Sequence, residues 1–383
     1  MKIVRITATP LNVPLHIKLV GLDHKTTLSC CFVEVETDTG LAGHGLTSIT
    51  EEDVIAAIVN GVAGPAIIGD DPLLHERIWD KLYWTMMPRG QTGYAAHALA
   101  AIDVALWDIK GKALGQPVWR LLGGARDRTP VYATFGFGFF NREQLAAAAK
   151  IWVSQGFRRI KMTVGDGALR NRDKRPLMDV IREDAARVRA VREAVGPDIE
   201  LYIDGNCNLD LYHATKLVEL IKPLGISFFE EPLTQNDARQ MAQLRRSTGM
   251  ALACGQNEGL AFRFRDLLLA EAVDFVQPNV CITGGYTQCL RIAGLAASFN
   301  VSMANGGAWG FHNMHMQAGV ANGTLVEHHY LAVELYKQIY RGLPMPADGF
   351  FVMSDKPGLG FEPNHDAIRE IAKLPMSKGA GKG

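Results

Sequence analysis

"IELYIDGNCNLDLYHATKLVELIKPLGISFFEEPL", residues 199–233, reads as strand, helix, strand. The runs IELYID and ISFFE are short and apolar, and the segment between them, 210–222, carries apolar residues at helical spacing. The same unit recurs along the chain. VYATF, RRIKMTV, ALACG, VDFVQP and VSMAN are further short apolar runs, and helical stretches follow at 142–154, 178–195, 235–248, 262–270, 285–298 and 311–320. An eighth short strand falls at TLVEHH (324–329). Strand and helix in strict alternation predict a parallel sheet. Eight units in this length fit a closed α/β barrel, (β/α)8, better than an open doubly wound sheet.

The region before it is mixed. TTLSCCFVEVETDTGLAGHG (26–45) predicts a hairpin around Asp-Thr-Gly, and YAAHALAAIDVALWDIKGKALG (94–115) predicts a helix stopped by glycine. The expected division is an N-terminal α+β domain over 1–125, a barrel over 126–330, and a segment over 331–383 that packs back on the first domain. The tail SKGAGKG (377–383) is expected to be disordered.

Of 383 residues, 48% are apolar, and 40 basic side chains balance 40 acidic ones. That balance gives no electrostatic case for nucleic acid or an anionic membrane. No apolar run is long enough to span a bilayer, and the N-terminus alternates like a strand and lacks a signal peptide's apolar core. The six cysteines show neither CxxC pairing nor metal-finger spacing, so buried free thiols and a reducing cytoplasm are expected.

Chemistry in a parallel barrel gathers where strands end. Polar residues stand there at 204, 230, 256, 279 and 305, steps of 26, 26, 23 and 26 residues, which places them around one mouth. Asp204 and Glu230 end consecutive strands. Two adjacent carboxylates repel, and one takes a proton unless a cation intervenes. A hard divalent ion, Mg²⁺, would satisfy both; salt bridges to Lys161, Arg158 or Arg159 are the alternative. Lys161, inside an apolar strand, reads as a base, as a charge for a substrate carboxylate, or as a structural partner of Glu230 or Glu231.

AIDVALWDIKGKALGQPVWRLLGG (101–124), followed by IKMTVG, IDGNCN, FEEPL, GQNEG, QPNVCITGG, MANGGAW and VEHH in that order, resembles the enolase superfamily in its mandelate racemase branch. The resemblance covers nearly the whole chain. It implies an α+β capping domain on a modified TIM barrel, Mg²⁺ holding a small-molecule carboxylate substrate, and a base removing the adjacent proton to give an enediolate. It also implies a homo-oligomer. Residue by residue, it implies Asp204, Glu230 and Gln256 as the metal set, with Gln256 where an acid is usual. Lys161 matches the first lysine of the family's Lys-x-Lys, and Thr163 stands for the second, the usual base. Asn279 and Asn305 replace an aspartate–histidine dyad, and Glu327 matches the last strand's carboxylate.

An amide cannot serve as a base near neutral pH, but it does donate and accept hydrogen bonds. Lys161 and Glu327 are therefore the expected catalytic residues. Thr163, Asn206, Asn279, Asn305, Trp309 and His24, the last in a capping loop over the mouth, are the expected substrate contacts. Capping loops at 14–27 and 47–53 complete the pocket, and some of Phe135, Phe137, Phe139 and Phe140 face it. His312 and His315 are expected to be helix-packing residues, and Cys254 a core residue. Two functions follow: Mg²⁺-assisted proton abstraction leading to dehydration of a hydroxy or sugar acid (or isomerisation), or a catalytically silent relative that binds a carboxylate.

Overall fold

The computed structural model describes residues 1–49, 51–86 and 92–376. The expectation for the tail at 377–383 lies outside them, as does part of the capping loop at 47–53. Strands of the capping region are β1 (Ile3–Leu19), β2 (Leu22–Thr37) and β3 (Ala42–Ile49). Barrel strands are β4 (Arg128–Gly136), β5 (Arg159–Thr163), β6 (Glu200–Asp204), β7 (Ile226–Glu230), β8 (Leu252–Cys254), β9 (Phe275–Val276), β10 (Ser302–Met303) and β11 (Val326–His329).

The stretch 199–233 folds as its pattern dictates. Asp210 Oδ1 accepts the His213 N–H at 2.8 Å and starts the helix Leu211–Ile221. Side chains on β6 and β7 then alternate between two environments. Tyr202 and Phe228 point into the barrel and stack with centroids 4.1 Å apart at 3°. Ile203 and Phe229 point out into the core shared with the helices.

The eight parallel strands run in the order β10-β9-β8-β7-β6-β5-β4-β11. The ends of that row are joined by the Met303 N–H donating to Asn322 O and the Asn305 N–H to Leu325 O, each 2.8 Å. Below the strand ends the interior is aromatic, with Tyr132 edge-on to Tyr202 and Phe228. Arg159 and Glu200, 3.1 Å apart, pair at the opposite end of β5 and β6.

β1 and β2 form one long antiparallel hairpin closed by Val20 and Gly21, both at positive φ, the requirement of a tight two-residue turn. The segment 14–27, expected as a loop, is therefore the arm of this hairpin. His24 lies on β2 opposite Ile17, not in a loop. β3 lies so close to the helix Tyr94–Leu114 that a Cβ at Gly45 would stand 2.0 Å from Ala101 O, and one at Gly43 2.2 Å from Ala105 O. The chain after β11 returns to this region: Gln338 Nε2 donates to Pro14 O (3.0 Å), and Glu362 meets Lys112 at 3.2 Å. Five of the six thiols are buried and Cys207 is half-buried; all six are unpaired. Among the described residues no helix is long and apolar enough to cross a membrane.

The two regions are locked by Asp103. Its carboxylate accepts the N–H and Oγ1–H of Thr287, in the first turn of the helix Gly285–Ser298. Burial pushes Asp103 up to about 7 against the hydrogen bonds that favour its ionised form. Folding raises this pKa, so between about pH 4 and 7 the folded chain holds a proton that the unfolded chain has released. Stability from this group is complete below that window and lost as pH rises through it, at most about 4 kcal/mol. Urea unfolding at pH 5 and pH 8 should show wild type losing more stability across the interval than Asp103→Asn.

Candidate active site

The two acids of FFEEPL are neutralised in different ways. Glu230 ends β7 facing inward, and its Oε2 lies 2.7 Å from Lys161 Nζ. The same ammonium lies 3.0 Å from Glu327 Oε1 and 3.1 Å from Asp204 Oδ2. The alternation that turns Tyr202 and Phe228 inward turns Asp204 and Glu230 inward two residues later, and all four ionic side chains are buried. Burial pulls the Lys161 pKa down, but Glu230, Glu327 and Asp204 outweigh it and hold the ammonium well above its ordinary value. Burial, then Asp204, pushes Glu230 well up. Burial also works against the Glu327 carboxylate, yet Lys161, His329, Thr134 and the Ala308 N–H together hold it below its usual range.

Glu231 turns the other way, at a positive φ of 37°. Its oxygens accept from Asn236 Nδ2 (3.0 Å), Gln256 Nε2 (3.1 Å), Asn257 Nδ2, the Asn257 N–H and the Cys207 thiol. Amide dipoles surround this second acid, and among the described residues no cation pairs with it.

The floor holds more carboxyl groups than basic ones. Three carboxylates share one ammonium, and Glu230 Oε1 is buried with no hydrogen-bond partner. Gln256 uses its Nε2 on Glu231 and Asn206, which leaves its carbonyl oxygen for another partner. Asp204, Glu230 and that carbonyl are hard oxygen donors, as Mg²⁺ prefers. Among the described residues no group of three or more His, Cys, Asp or Glu is placed to hold a metal. The third member of the expected set is an amide, and its carbonyl oxygen, like the two carboxylates, is a donor of the type that fits the ion.

Above the floor lies a cavity of about 320 Å³ whose lining mixes apolar side chains, Leu28, Phe137, Ile282, Trp309 and Leu331, with the uncharged polar ones of Thr134, Thr163, Asn206, Gln256, Asn257 and His329. Asp204 and Glu327 reach it too, whereas Lys161 lies beneath. A second cavity of about 660 Å³ shares Leu28, Phe137, Thr163, Asn206 and Leu331 with the first, and extends past Arg170 to His24, whose ring stacks on Phe139 at 4.6 Å.

Thr163, Asn206, Gln256, Trp309 and Glu327 thus meet at one cavity, with His24 in the outer one. Asn279 and Asn305, expected as substrate contacts, are fully buried and line neither cavity. Asn279 Nδ2 donates to Gly306 O (2.8 Å) and Gly307 O (3.0 Å), and its Oδ1 accepts from the Cys281 N–H and from Asn313 Nδ2. Asn305 Oδ1 accepts the Glu327 N–H at 3.0 Å, completing the seam that closes the barrel. Their work is to hold the 306–308 segment and β11. His312 and His315 are buried in the helix Gly310–Gly319, and Cys254 in the core. Sequence reasoning passed over Gln277, which donates to Glu230 at 3.0 Å, and His329, two residues after Glu327 on the same face of β11. The strand period was the available signal for both.

Residues 2–123 match the mandelate racemase / muconate lactonizing enzyme N-terminal domain, and residues 144–367 match the family Enolase C-terminal domain-like. The chain therefore belongs to the enolase superfamily, in its mandelate racemase and muconate lactonizing enzyme branch. It is 32% identical over 356 residues to D-galactarolactone cycloisomerase of Agrobacterium fabrum, covering 88% of this chain and 90% of that one. It is 28% identical over 335 residues to arabinonate dehydratase of Saccharolobus solfataricus, covering 86% of each. A racemase from Streptomyces coelicolor, solved with bound magnesium, superposes with a TM-score of 0.86 at 27% identity, over 96% of this chain and 99% of that one. The chain is thus a member of an enzyme family whose matched relatives include a lyase and an isomerase.

Restoring the acid that the resemblance implies at position 279 should do harm. Asn279→Asp would aim a carboxylate at the carbonyls of Gly306 and Gly307 and lose their donor. The expected loss is roughly 2–4 kcal/mol in urea unfolding, as for a buried charge without a partner.

Proposed function

We propose that this protein removes the proton next to the carboxylate of a sugar acid and so carries out its dehydration or cycloisomerisation. The observation that carries the reading is the charge imbalance of the floor: Asp204, Glu230 and Glu327 face a single ammonium beneath a cavity with a polar wall. That imbalance suits one divalent cation and one anionic substrate group. The sugar-acid class is supported by the relatives' substrates and by the hydrogen-bonding wall of Thr134, Thr163, Asn206, Asn257 and His329.

Asp204, Glu230 and Gln256 would hold Mg²⁺. Bound there, Mg²⁺ would neutralise charge building on the substrate carboxylate and, by drawing Asp204 and Glu230 to itself, free Lys161 from two of the three anions that keep it protonated. Lys161 is then the proton acceptor. Glu327, fixed by Thr134 Oγ1 (2.5 Å) and the Ala308 N–H (2.6 Å), orients a substrate hydroxyl. Trp309, Phe137 and Leu331 exclude water from the reacting carbon. In a dehydration with this one base, the ammonium formed at Lys161 returns the proton to the departing hydroxyl on the same face, and it leaves as water.

Calorimetry on metal-stripped protein should show Mg²⁺ binding that Glu230→Gln abolishes and Gln256→Glu tightens by tenfold or more, since the latter adds a third anionic ligand. Equal affinities for wild type and Gln256→Glu would remove Gln256 from the metal set. With a panel of pentonates and hexonates in D₂O, the α-hydrogen should exchange in wild type and not in Lys161→Ala. Exchange that survives in that variant would show that Lys161 is not the base. Binding of Mg²⁺ and acid without exchange or turnover would make the protein a silent carboxylate binder.

A further inference from the structure

His329 does two jobs in one position. It ends β11, and it is the N-cap of the helix Tyr330–Ile339. Its Nδ1 accepts the backbone N–H of Ala332 at 3.3 Å, one of the donors that a helix leaves unpaired in its first turn. A nitrogen that accepts carries no proton, so the neutral ring bears its hydrogen on Nε2. The ring is wedged against Phe137, centroids 5.1 Å apart, and it lines the 320 Å³ cavity. Nε2 has no hydrogen-bond partner among the described residues.

The surroundings favour the neutral ring. Burial in the cavity wall disfavours the imidazolium; Glu327 and Asp204 oppose that, and Lys161 reinforces it. The positive end of the helix acts in the same direction as Lys161. A second proton on Nδ1 would also break the cap. The site thus holds an N–H donor with fixed direction and no charge, facing a space that the relatives' chemistry fills with oxygen-rich acids.

We propose that His329 donates its Nε2–H, as a neutral imidazole, to an oxygen of the bound sugar acid, and does not act as a base. The inference rests on the sugar-acid reading above. A neutral imidazole is too weak an acid to surrender this proton. It supplies an oriented dipole, which strengthens as negative charge develops on the oxygen it touches. No proton is transferred and no bond is broken at His329.

Three variants separate the donor from the cap. His329→Gln places an amide N–H near the Nε2 position without the cap. His329→Asn keeps a cap acceptor but does not reach the cavity. His329→Leu has neither. In the Mg²⁺-loaded protein, the Gln variant should keep kcat on the hexonate and pentonate panel within about tenfold, with an unchanged pH profile. The Asn variant should keep the wild-type Tm yet lose about a hundredfold in kcat, as when one donor to developing charge is removed. Nitrogen-15 spectra should show the His329 ring as the Nε2–H tautomer from pH 6 to 8, and adding D-galactonate should shift that N–H resonance. A doubly protonated ring at pH 7, an Nδ1–H tautomer, or a Gln variant as inactive as Leu would overturn the proposal. If wild type turns over none of the acids, the sugar-acid reading falls. The tautomer and the D-galactonate shift then decide this inference alone, and an absent shift overturns it.

Discussion

The ammonium of Lys161 lies where side chains from β5, β6, β7 and β11 converge, within 3.1 Å of three carboxylates. Those acids cannot be solvated from below, because Tyr132, Tyr202 and Phe228 fill the barrel beneath them. They are not solvated from above either, since each is nearly inaccessible. Each unpaired charge in such a place costs several kcal/mol. The lysine therefore sets how close the strand ends can come, and the cavity above inherits its floor from that contact. One ammonium thus serves three carboxyl groups, and burial beside Asp204 pushes one of them, Glu230, well up.

Neutral amides do what additional charges would otherwise do. Gln277 donates to Glu230, and Asn236, Gln256 and Asn257 surround Glu231. Asn279 and Asn305 tie the 306–308 segment and β11 to the rest of the mouth. An amide offers both a donor and an acceptor and adds no net charge, so the acids keep hydrogen bonds without attracting permanent counter-ions. This accounts for a mouth held in shape although Gln256, Asn279 and Asn305 carry no ionisable group. The shape is carried by hydrogen bonds that an acid or a histidine at 279 and 305 would have to make differently.

The barrel was readable because its two periods are distinct. Tyr202/Asp204 and Phe228/Glu230 alternate with outward residues, and the helices after them repeat at a longer period, so even β9 and β10, two residues each, stood out from their flanks. The hairpin arm at 14–27 was not readable as a strand. Its tip is Val20-Gly21, outside the usual Asn-Gly signals, and its side chains are polar on the exposed face. Lys161 was legible as a buried cation but not as a partner of three acids at once, because that number depends on how β11 meets β4. The roles of Asn279 and Asn305 were hidden for a similar reason: their main partners are backbone atoms, which carry no side-chain signature. His329 was hidden by its neighbours, since in VEHH the eye stops at the acid.

The cavity divides its labour by depth. The charged groups of its lining are Asp204 and Glu327, and the rest of the lining mixes uncharged donors and acceptors with Leu28, Phe137, Ile282, Trp309 and Leu331. A simple apolar carboxylate would satisfy the floor and leave the polar wall unpaired, which a buried site penalises. On the proposed reading a polyhydroxylated acid would satisfy both, because its hydroxyls would find partners among Thr134, Thr163, Asn206 and Asn257. The phenylalanines expected at the pocket fit this arrangement as well. Phe137 packs the ring of His329 as part of the wall, and Phe139 carries His24 in the outer cavity. On that reading, discrimination between acids would rest on the uncharged lining, since the floor would meet a carboxylate in every case.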